Sequence, residues 1–291
     1  MVSLERNSAC KVNFVLNILG RRPDGFHELE TLFFPVPLHD HLRALRIFSG
    51  IELSCSNPQL PCNSANLVWR AARAFLDASG ISNGVRLHLT KNLPIAAGIG
   101  AGSANAATTL LLMNELFGFP LPAVTLDQLA AALGSDVNFF LQPGPATATG
   151  RGERIVPLPH FGILKGCALL LFRPGFGVTT PWAFKHLAHF PDLQNGKPGK
   201  VARAVAAFSE NDLQFAAGHL FNSLEGPALS KYPVLGIYQE ALRNMGAIGT
   251  LMSGSGSTTF ALFPDQRQAE SASEQFRRRF GPEGWLAVAG L

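Results

Sequence analysis

The stretch Pro94-Ile95-Ala96-Ala97-Gly98-Ile99-Gly100-Ala101-Gly102-Ser103-Ala104-Asn105 runs directly into the apolar segment Ala106–Phe117. It reads as a glycine-rich loop opening a helix. Missing side chains let backbone N–H groups approach an anion, and the helix N-terminus adds partial positive charge. Gly98, Gly100 and Gly102 alternate, and Ser103 stands where the helix is expected to begin, placed to cap it or to help hold a phosphate or Mg²⁺. The chain contains no GxxxxGK[ST], and Ser103 occupies the place of the last glycine of GxGxxG. On its own such a loop is equally readable as a tight turn packing a helix on a sheet.

The flanking segments place this loop in a mixed α+β chain. Lys11–Leu19 alternates, with Val12, Phe14, Leu16 and Ile18 on one face and Lys11, Asn13 and Asn17 on the other. That pattern predicts a strand with one buried and one partly polar face. Leu42–Phe48, Ile51–Cys55 and Val85–Leu89 read as further strands, and Asn66–Ser79 as a helix stopped by Gly80. A helix over Leu126–Leu133 is predicted to start on a capping box formed by Thr125 and Gln128. A boundary is expected near Pro157–Lys165, giving domains 1–160 and 161–291. In the second half, strands are expected at Cys167–Phe172 and Thr250–Phe263, and helices at Pro181–Ala188, Lys200–Phe208 and Val234–Met245.

Composition narrows the function. The 291 residues are 47% hydrophobic and 15% charged, which is globular rather than disordered. The net charge of +4 comes from scattered Lys and Arg, whose densest cluster is Arg277–Arg279. A nucleic-acid surface would need a longer basic stripe interleaved with aromatics. The four cysteines form no CxxC pair and no disulfide framework. No apolar run reaches the ~18–20 residues of a membrane span. The chain therefore reads as a soluble, cytoplasmic protein with no nucleic-acid or membrane partner, whose mild positive charge suits phosphorylated small-molecule substrates; composition does not fix its oligomeric state, and a monomer or weak homodimer is the expectation.

Three separated motifs resemble those of the GHMP kinases: Ala9-Cys10-Lys11-Val12-Asn13, Pro94–Ser103, and Met252-Ser253-Gly254-Ser255-Gly256-Ser257-Thr258-Thr259-Phe260-Ala261. Within that superfamily, Gly20-Arg21-Arg22-Pro23-Asp24-Gly25-Phe26-His27 and Leu133-Gly134-Ser135-Asp136-Val137-Asn138 resemble the kinases acting on 4-diphosphocytidyl-2-C-methyl-D-erythritol. The resemblance implies a two-domain fold, ribosomal-S5-domain-2-like then ferredoxin-like. It implies ATP-dependent phosphorylation of the acceptor's 2-hydroxyl in isoprenoid precursor synthesis, with Mg²⁺ accompanying ATP. Another GHMP kinase, acting on homoserine, mevalonate or a sugar, is the alternative, and a catalytically silent binder a further one.

The same resemblance assigns sites. Lys11 and Asp136 match the catalytic pair. Pro94 to Asn105, with Asn66 and Lys91, match positions that bind the nucleotide, although Asn66 reads equally as a helix cap. Phe26 and Phe184 match aromatics that sandwich a cytosine, with His27 at its edge. Asn13, Thr180 and the loop Gly254, Ser255, Gly256 match further acceptor or phosphate contacts. No dedicated metal cluster is expected. The chain departs from the family where Ala96, Ala97 and Ala101 replace usual glycines, Ala104 replaces a usual serine, and Arg151 replaces a small or apolar residue. Alanine tolerates left-handed backbone poorly, so these positions are expected to strain or reshape the loop.

Overall fold

Alternating apolar side chains draw Ser3–Arg21 into one long strand, β1. A computed structural model describes residues 3–291. It resolves into two compact units that are interleaved along the chain: residues 1–10, 38–95 and 100–143 form one, and 11–37, 96–99 and 144–291 the other. The expected boundary at 160/161 lies inside the second unit. Strand β1 and its successor β2 (His27–Ile47) contribute residues to both units.

In the first unit the C-terminal half of β2 pairs with β4 (Gly84–Thr90), and β4 pairs in parallel with β3 (Ile51–Cys55). Helix α1 (Leu67–Ser79) buries Val68, Ala71, Ala72, Phe75 and Leu76, the i, i+3, i+4, i+7 stripe of an amphipathic helix. Asn66 caps it and Gly80 ends it in the left-handed conformation (φ 67°), as the sequence predicts. Helix α2 (Ala101–Leu116) is buried on nearly every side. Helix α3 (Ala123–Leu133) begins earlier than expected. Pro122, with its fixed φ, takes the cap position, so Thr125 and Gln128 lie inside the helix and form no capping box. The apolar faces of α1, α2 and α3 close one core with Leu42, Val85, Leu87 and Leu89 from the strands.

In the second unit β2 pairs with β5 (Ala146–Gly150), which turns back as β6 (Arg154–Pro157). The extension of β2 back to His27 is unexpected, because Pro35 and Pro37 argue against a strand. β2 lies between β1 on one side and β4 and β5 on the other, and on the latter side both prolines fall between the β5 pairing at Leu29–Phe33 and the β4 pairing at His41–Ile47, so neither of those two ladders needs their N–H. The expectation of a single buried face on β1 also fails. Its polar side is as buried as its apolar side: Lys11 is 3%, Asn13 2% and Asn17 0% exposed.

The chain then forms β7 (Ala168–Arg173), α4 (Thr180–His186), α5 (Pro191–Gln194), α6 (Lys200–Ser209), α7 (Leu213–Ala217) and β8 (Phe221–Asn222). It continues through α8 (Glu225–Lys231), α9 (Val234–Asn244), β9 (Gly249–Met252), β10 (Thr259–Phe263), α10 (Gln266–Phe280) and β11 (Trp285–Gly290). Strand β8 pairs in parallel with β1. The other four strands make an antiparallel sheet in the order β11-β7-β10-β9, the 4-1-3-2 order of a ferredoxin-like sheet. Phe172, Leu242, Phe263 and Phe276 are in its core.

Two ionic features have structural explanations. Glu30 on β2 accepts N–H groups from Gly199 (3.0 Å), Lys200 (2.8 Å) and Val201 (3.4 Å), capping α6 from about 170 residues away. Burial works to raise the Glu30 carboxyl, but these bonds and the one from Asn17 outweigh it and hold it below the usual range. The cluster Arg277–Arg279 occupies the last turn of α10, where cations complement the helix dipole. Arg277 also donates to the carbonyls of Pro282 (2.8 Å), Glu283 (2.9 Å) and Gly284 (3.1 Å). Among the described residues no helix is long and apolar enough to cross a membrane.

Candidate active site

The glycine-rich stretch is shared between the units. Gly100 caps α2 in left-handed backbone (φ 67°) and offers no side-chain acceptor. Ala104 N–H makes the first intrahelical bond, to Gly100 O (2.9 Å), so the N–H groups of Ala101, Gly102 and Ser103 lead the helix uncapped by a side chain. Ser103 thus stands in the first turn rather than at its start. Of the three alanines in glycine places, only Ala96 adopts positive φ (50°). Ala96→Gly is therefore expected to stabilise the protein by about 0.5–1 kcal/mol in chemical denaturation, the left-handed penalty less glycine's unfolded-state entropy. An unchanged or lower stability would show that the loop bears no strain there.

Within the second unit, Ala97 and Gly98 pack on the loop between β9 and β10. Ser253 Oγ donates to Gly98 O (2.9 Å) and Thr258 N–H to Ala97 O (3.3 Å). Gly98 has φ 77°, and a Cβ there would stand 2.3 Å from Ser253 O. The same β9–β10 loop meets α4, since Thr180 Oγ1 and Ser255 Oγ are hydrogen-bonded at 3.0 Å. Ser257 Oγ donates to Phe176 O (2.5 Å). Sequence-predicted site residues Gly98, Thr180, Ser255 and their neighbours thus converge on one loop.

Lys11 and Asn13 are also brought together. Lys11 Nζ donates to Asn13 Oδ1 (2.6 Å) and lies 4.7 Å from the Phe33 ring centroid. Asn13 Nδ2 donates to Thr31 Oγ1 (2.8 Å), which donates on to Val15 O (2.5 Å). Thr31 was not anticipated from the sequence, since its partner lies on another strand. Asp136 belongs to the first unit, in the turn after α3, and is partly exposed.

The aromatic residues form two contacts. The rings of His27 and Phe184 lie 4.9 Å apart. His27 Nε2 is buried and has no hydrogen-bond partner. Burial, and then the charge of Arg21, push this imidazole below its usual range, so it is neutral at pH 7. Phe26 is 51% exposed, and the Arg151 guanidinium lies 4.8 Å from its ring centroid. Arg151, the residue with no counterpart in the usual pattern, is thus the cation stacked on Phe26, held in the β5–β6 turn by its N–H to Glu153 (2.6 Å).

Three predicted nucleotide residues have their polar heads engaged by the first unit itself. Asn66 Oδ1 accepts Val68 N–H (2.9 Å) and its Nδ2 donates to Pro61 O (2.8 Å). Lys91 is ion-paired with the fully buried Asp40. Asp40 also accepts the N–H groups of Asn92 (2.8 Å) and Leu93 (2.9 Å) and the Asn105 amide (3.0 Å). Asp40 was not legible in the sequence, because it stands between His39 and His41 and its partners lie more than 50 residues away.

Glu225 supports the β9–β10 loop from below. Its Oε1 accepts Met252 N–H (2.8 Å) and Gln239 Nε2 (2.6 Å). Burial pushes its carboxyl above the usual range, opposed by those bonds and by Arg243. The native state then keeps a proton that the unfolded chain releases, so stability falls as pH rises from the ordinary carboxylate range through the raised value. Glu225→Gln keeps an acceptor but carries no charge. Its Tm relative to wild type is expected to rise between about pH 4 and pH 8 by scanning calorimetry. A Tm difference independent of pH would contradict this.

Comparison with known proteins places this arrangement. Residues 66–144 match the GHMP kinases N terminal domain and residues 190–282 the GHMP kinases C terminal domain. A 4-diphosphocytidyl-2-C-methyl-D-erythritol kinase of a Synechococcus strain is 38% identical over 277 residues, covering 93% of this chain and 88% of that one. One from a Geobacter strain is 36% identical over 290 residues, covering 99% of each. A crystal structure of 4-(cytidine 5'-diphospho)-2C-methyl-D-erythritol kinase superposes with a TM-score of 0.81 at 36% identity, covering 99% of this chain and 100% of that one. A homoserine kinase from Cytophaga hutchinsonii shares the fold alone, with a TM-score of 0.76 at 21% identity. With both domain matches in place and identity sustained across the whole length, the chain belongs to the 4-diphosphocytidyl-2-C-methyl-D-erythritol kinase family of the GHMP kinases.

Proposed function

We propose that the protein transfers the γ-phosphoryl group of ATP to the 2-hydroxyl of 4-(cytidine 5'-diphospho)-2-C-methyl-D-erythritol, in the cytoplasm, as a step of non-mevalonate isoprenoid synthesis. The observation that carries the acceptor assignment is His27. Its buried, unpartnered Nε2 beside the Phe184 ring suits the edge of a planar base with hydrogen-bonding groups. Phe26 supplies a second, exposed ring for stacking, worth about 1–3 kcal/mol per base.

The phosphates are assigned to the α2 N-terminus and the Pro94–Asn105 loop, where uncapped N–H groups favour anions. In this reading Asp136 orients the acceptor hydroxyl and accepts its proton, while Lys11 neutralises charge developing on the transferred group. Asn13 holds the Lys11 ammonium through its Oδ1. Among the described residues no three His, Cys, Asp or Glu side chains cluster as a metal site. Mg²⁺ keeps much of its water and is held largely by phosphates, with the Ser103 hydroxyl as the oxygen donor assigned to it. It would neutralise phosphate charge when bound.

The test is ADP formation from ATP and Mg²⁺ with the cytidylylated acceptor. Turnover is expected there and not with homoserine or mevalonate. Turnover on either of those, and none on the cytidylylated acceptor, would overturn the assignment. Arg151→Leu is expected to raise the acceptor KM about two- to five-fold with the ATP KM unchanged, from loss of a half-exposed cation–π contact on Phe26. Steady-state kinetics with each substrate varied in turn checks it.

A further inference from the structure

The loop Ser253–Thr258 is pinned by a residue that no motif singled out. Asn222, at the end of β8 and 4% exposed, donates both hydrogens of its Nδ2 into it: to Met252 O (2.7 Å) and Gly254 O (2.8 Å). Its Oδ1 accepts Leu224 N–H (2.9 Å). That set of partners fixes the amide orientation, because the flipped amide would turn its oxygen toward two carbonyls. With Glu225 on the Met252 N–H, both sides of that residue's backbone are held from the β8–α8 segment.

The consequence lies on the far side of the next peptide. The Gly254–Ser255 peptide is trans, so its C=O and N–H point in opposite directions. Drawing Gly254 O onto Asn222 turns the Ser255 N–H away from Asn222. Ser255 is only 8% exposed, and among the described residues no acceptor receives that N–H. A buried donor left open is uncommon in a folded protein, and in a glycine-rich turn it is the group that holds an anion. The side-chain hydroxyl of the same residue is already engaged by Thr180.

We propose that Asn222 is a positioning residue for phosphoryl transfer, which aims the Ser255 N–H at a phosphoryl oxygen of the bound substrates. The inference rests on the reading that this loop faces the phosphates. Asn222 touches no substrate. It acts by fixing one peptide plane before the substrates arrive, so the donor needs no reorganisation as charge develops.

Asn222→Asp keeps the side chain's shape and replaces its two donors by acceptors facing two carbonyls. In the full-length protein its kcat is expected to fall about 100-fold, the usual effect of losing one such donor. The affinity for CMP, measured by titration calorimetry, is expected to stay within about threefold of wild type. A role confined to folding would move both quantities together. Wild-type-like kcat, or CMP binding lost in parallel with kcat, would overturn the proposal. If Asn222→Asp shows no cooperative melting, Asn222→Ala carries the same readouts, with about a tenfold loss of kcat expected because water can replace one donor. Wild-type turnover is the separate control for the acceptor. Should wild type leave the cytidylylated acceptor unphosphorylated, ADP affinity still decides the role of Asn222. A loss of fivefold or more in Asn222→Asp would support it, on the order of one hydrogen bond to a charged group, and an unchanged affinity would refute it.

Discussion

Asp136→Asn is expected to lower kcat by about 10²–10⁴-fold, the range contributed by a positioned general base. Asparagine keeps the size of the side chain and still accepts a hydrogen bond, so the acceptor hydroxyl can be oriented. It cannot take the proton. Affinities for ADP and CMP, measured by titration calorimetry, are expected to remain within about threefold. This pattern separates a chemical role from a structural one, because Asp136 lies in the short turn between α3 and Val137 rather than at a helix cap. Activity within about tenfold of wild type would remove Asp136 from the reaction and leave orientation by the site as the main source of rate.

Gly98→Ala is expected to have the largest effect on the folded protein. Two costs coincide at this position. The backbone is left-handed at φ 77°, which costs a non-glycine residue about 1–2 kcal/mol. The new Cβ would also stand 2.3 Å from Ser253 O and 2.9 Å from Gly256 N. Both neighbours are backbone, so no flexible side chain can yield, and overpacking adds about 1–3 kcal/mol. The sum corresponds to a fall in Tm of about 5–15 °C for a protein of this size. Loss of the Ser253–Gly98 and Thr258–Ala97 bonds should raise the ATP KM as well. Gly50→Ala supplies the control, since Gly50 has a similar φ of 80° and nothing within 4 Å of the added carbon. A Gly98→Ala Tm equal to that of Gly50→Ala would show that the close approach carries no energy. Gly254→Ala should resemble Gly98→Ala, since its Cβ would meet Gly98 O at 2.8 Å.

The features legible in the sequence are those written in short-range chemistry. Helix α1 could be bounded at both ends because a side-chain cap and a left-handed glycine act within one turn. The glycine run before α2, and the identity of Phe26, His27 and Phe184 as ring-bearing residues near polar groups, were likewise visible. The expectation of only one buried face on β1 failed for a physical reason. Alternation reports which side chains share a face, not what covers that face, and Lys11, Asn13 and Asn17 are buried by partners remote in sequence. The expected strain at three alanines narrowed to Ala96, because backbone φ at each position is set by what the loop packs against.

By itself the sequence determined the α+β character, the phosphate-cradle stretch, the local caps and the residue types available for catalysis. Tertiary structure alone decided which of those groups are occupied with one another. Asp40 gathers Lys91 and Asn105 across more than 50 residues, Glu30 caps α6 across about 170, and Asn222 reaches Gly254 across 32. Such pairs leave no period in the chain. Burying a polar group without a partner costs about 1–3 kcal/mol, so the fold must supply each partner from wherever the backbone passes. The glycine loop shows both halves of this division. Its composition announced an anion site, while the contacts of Gly98 with Ser253 and of Asn222 with Gly254 are known only from the folded chain.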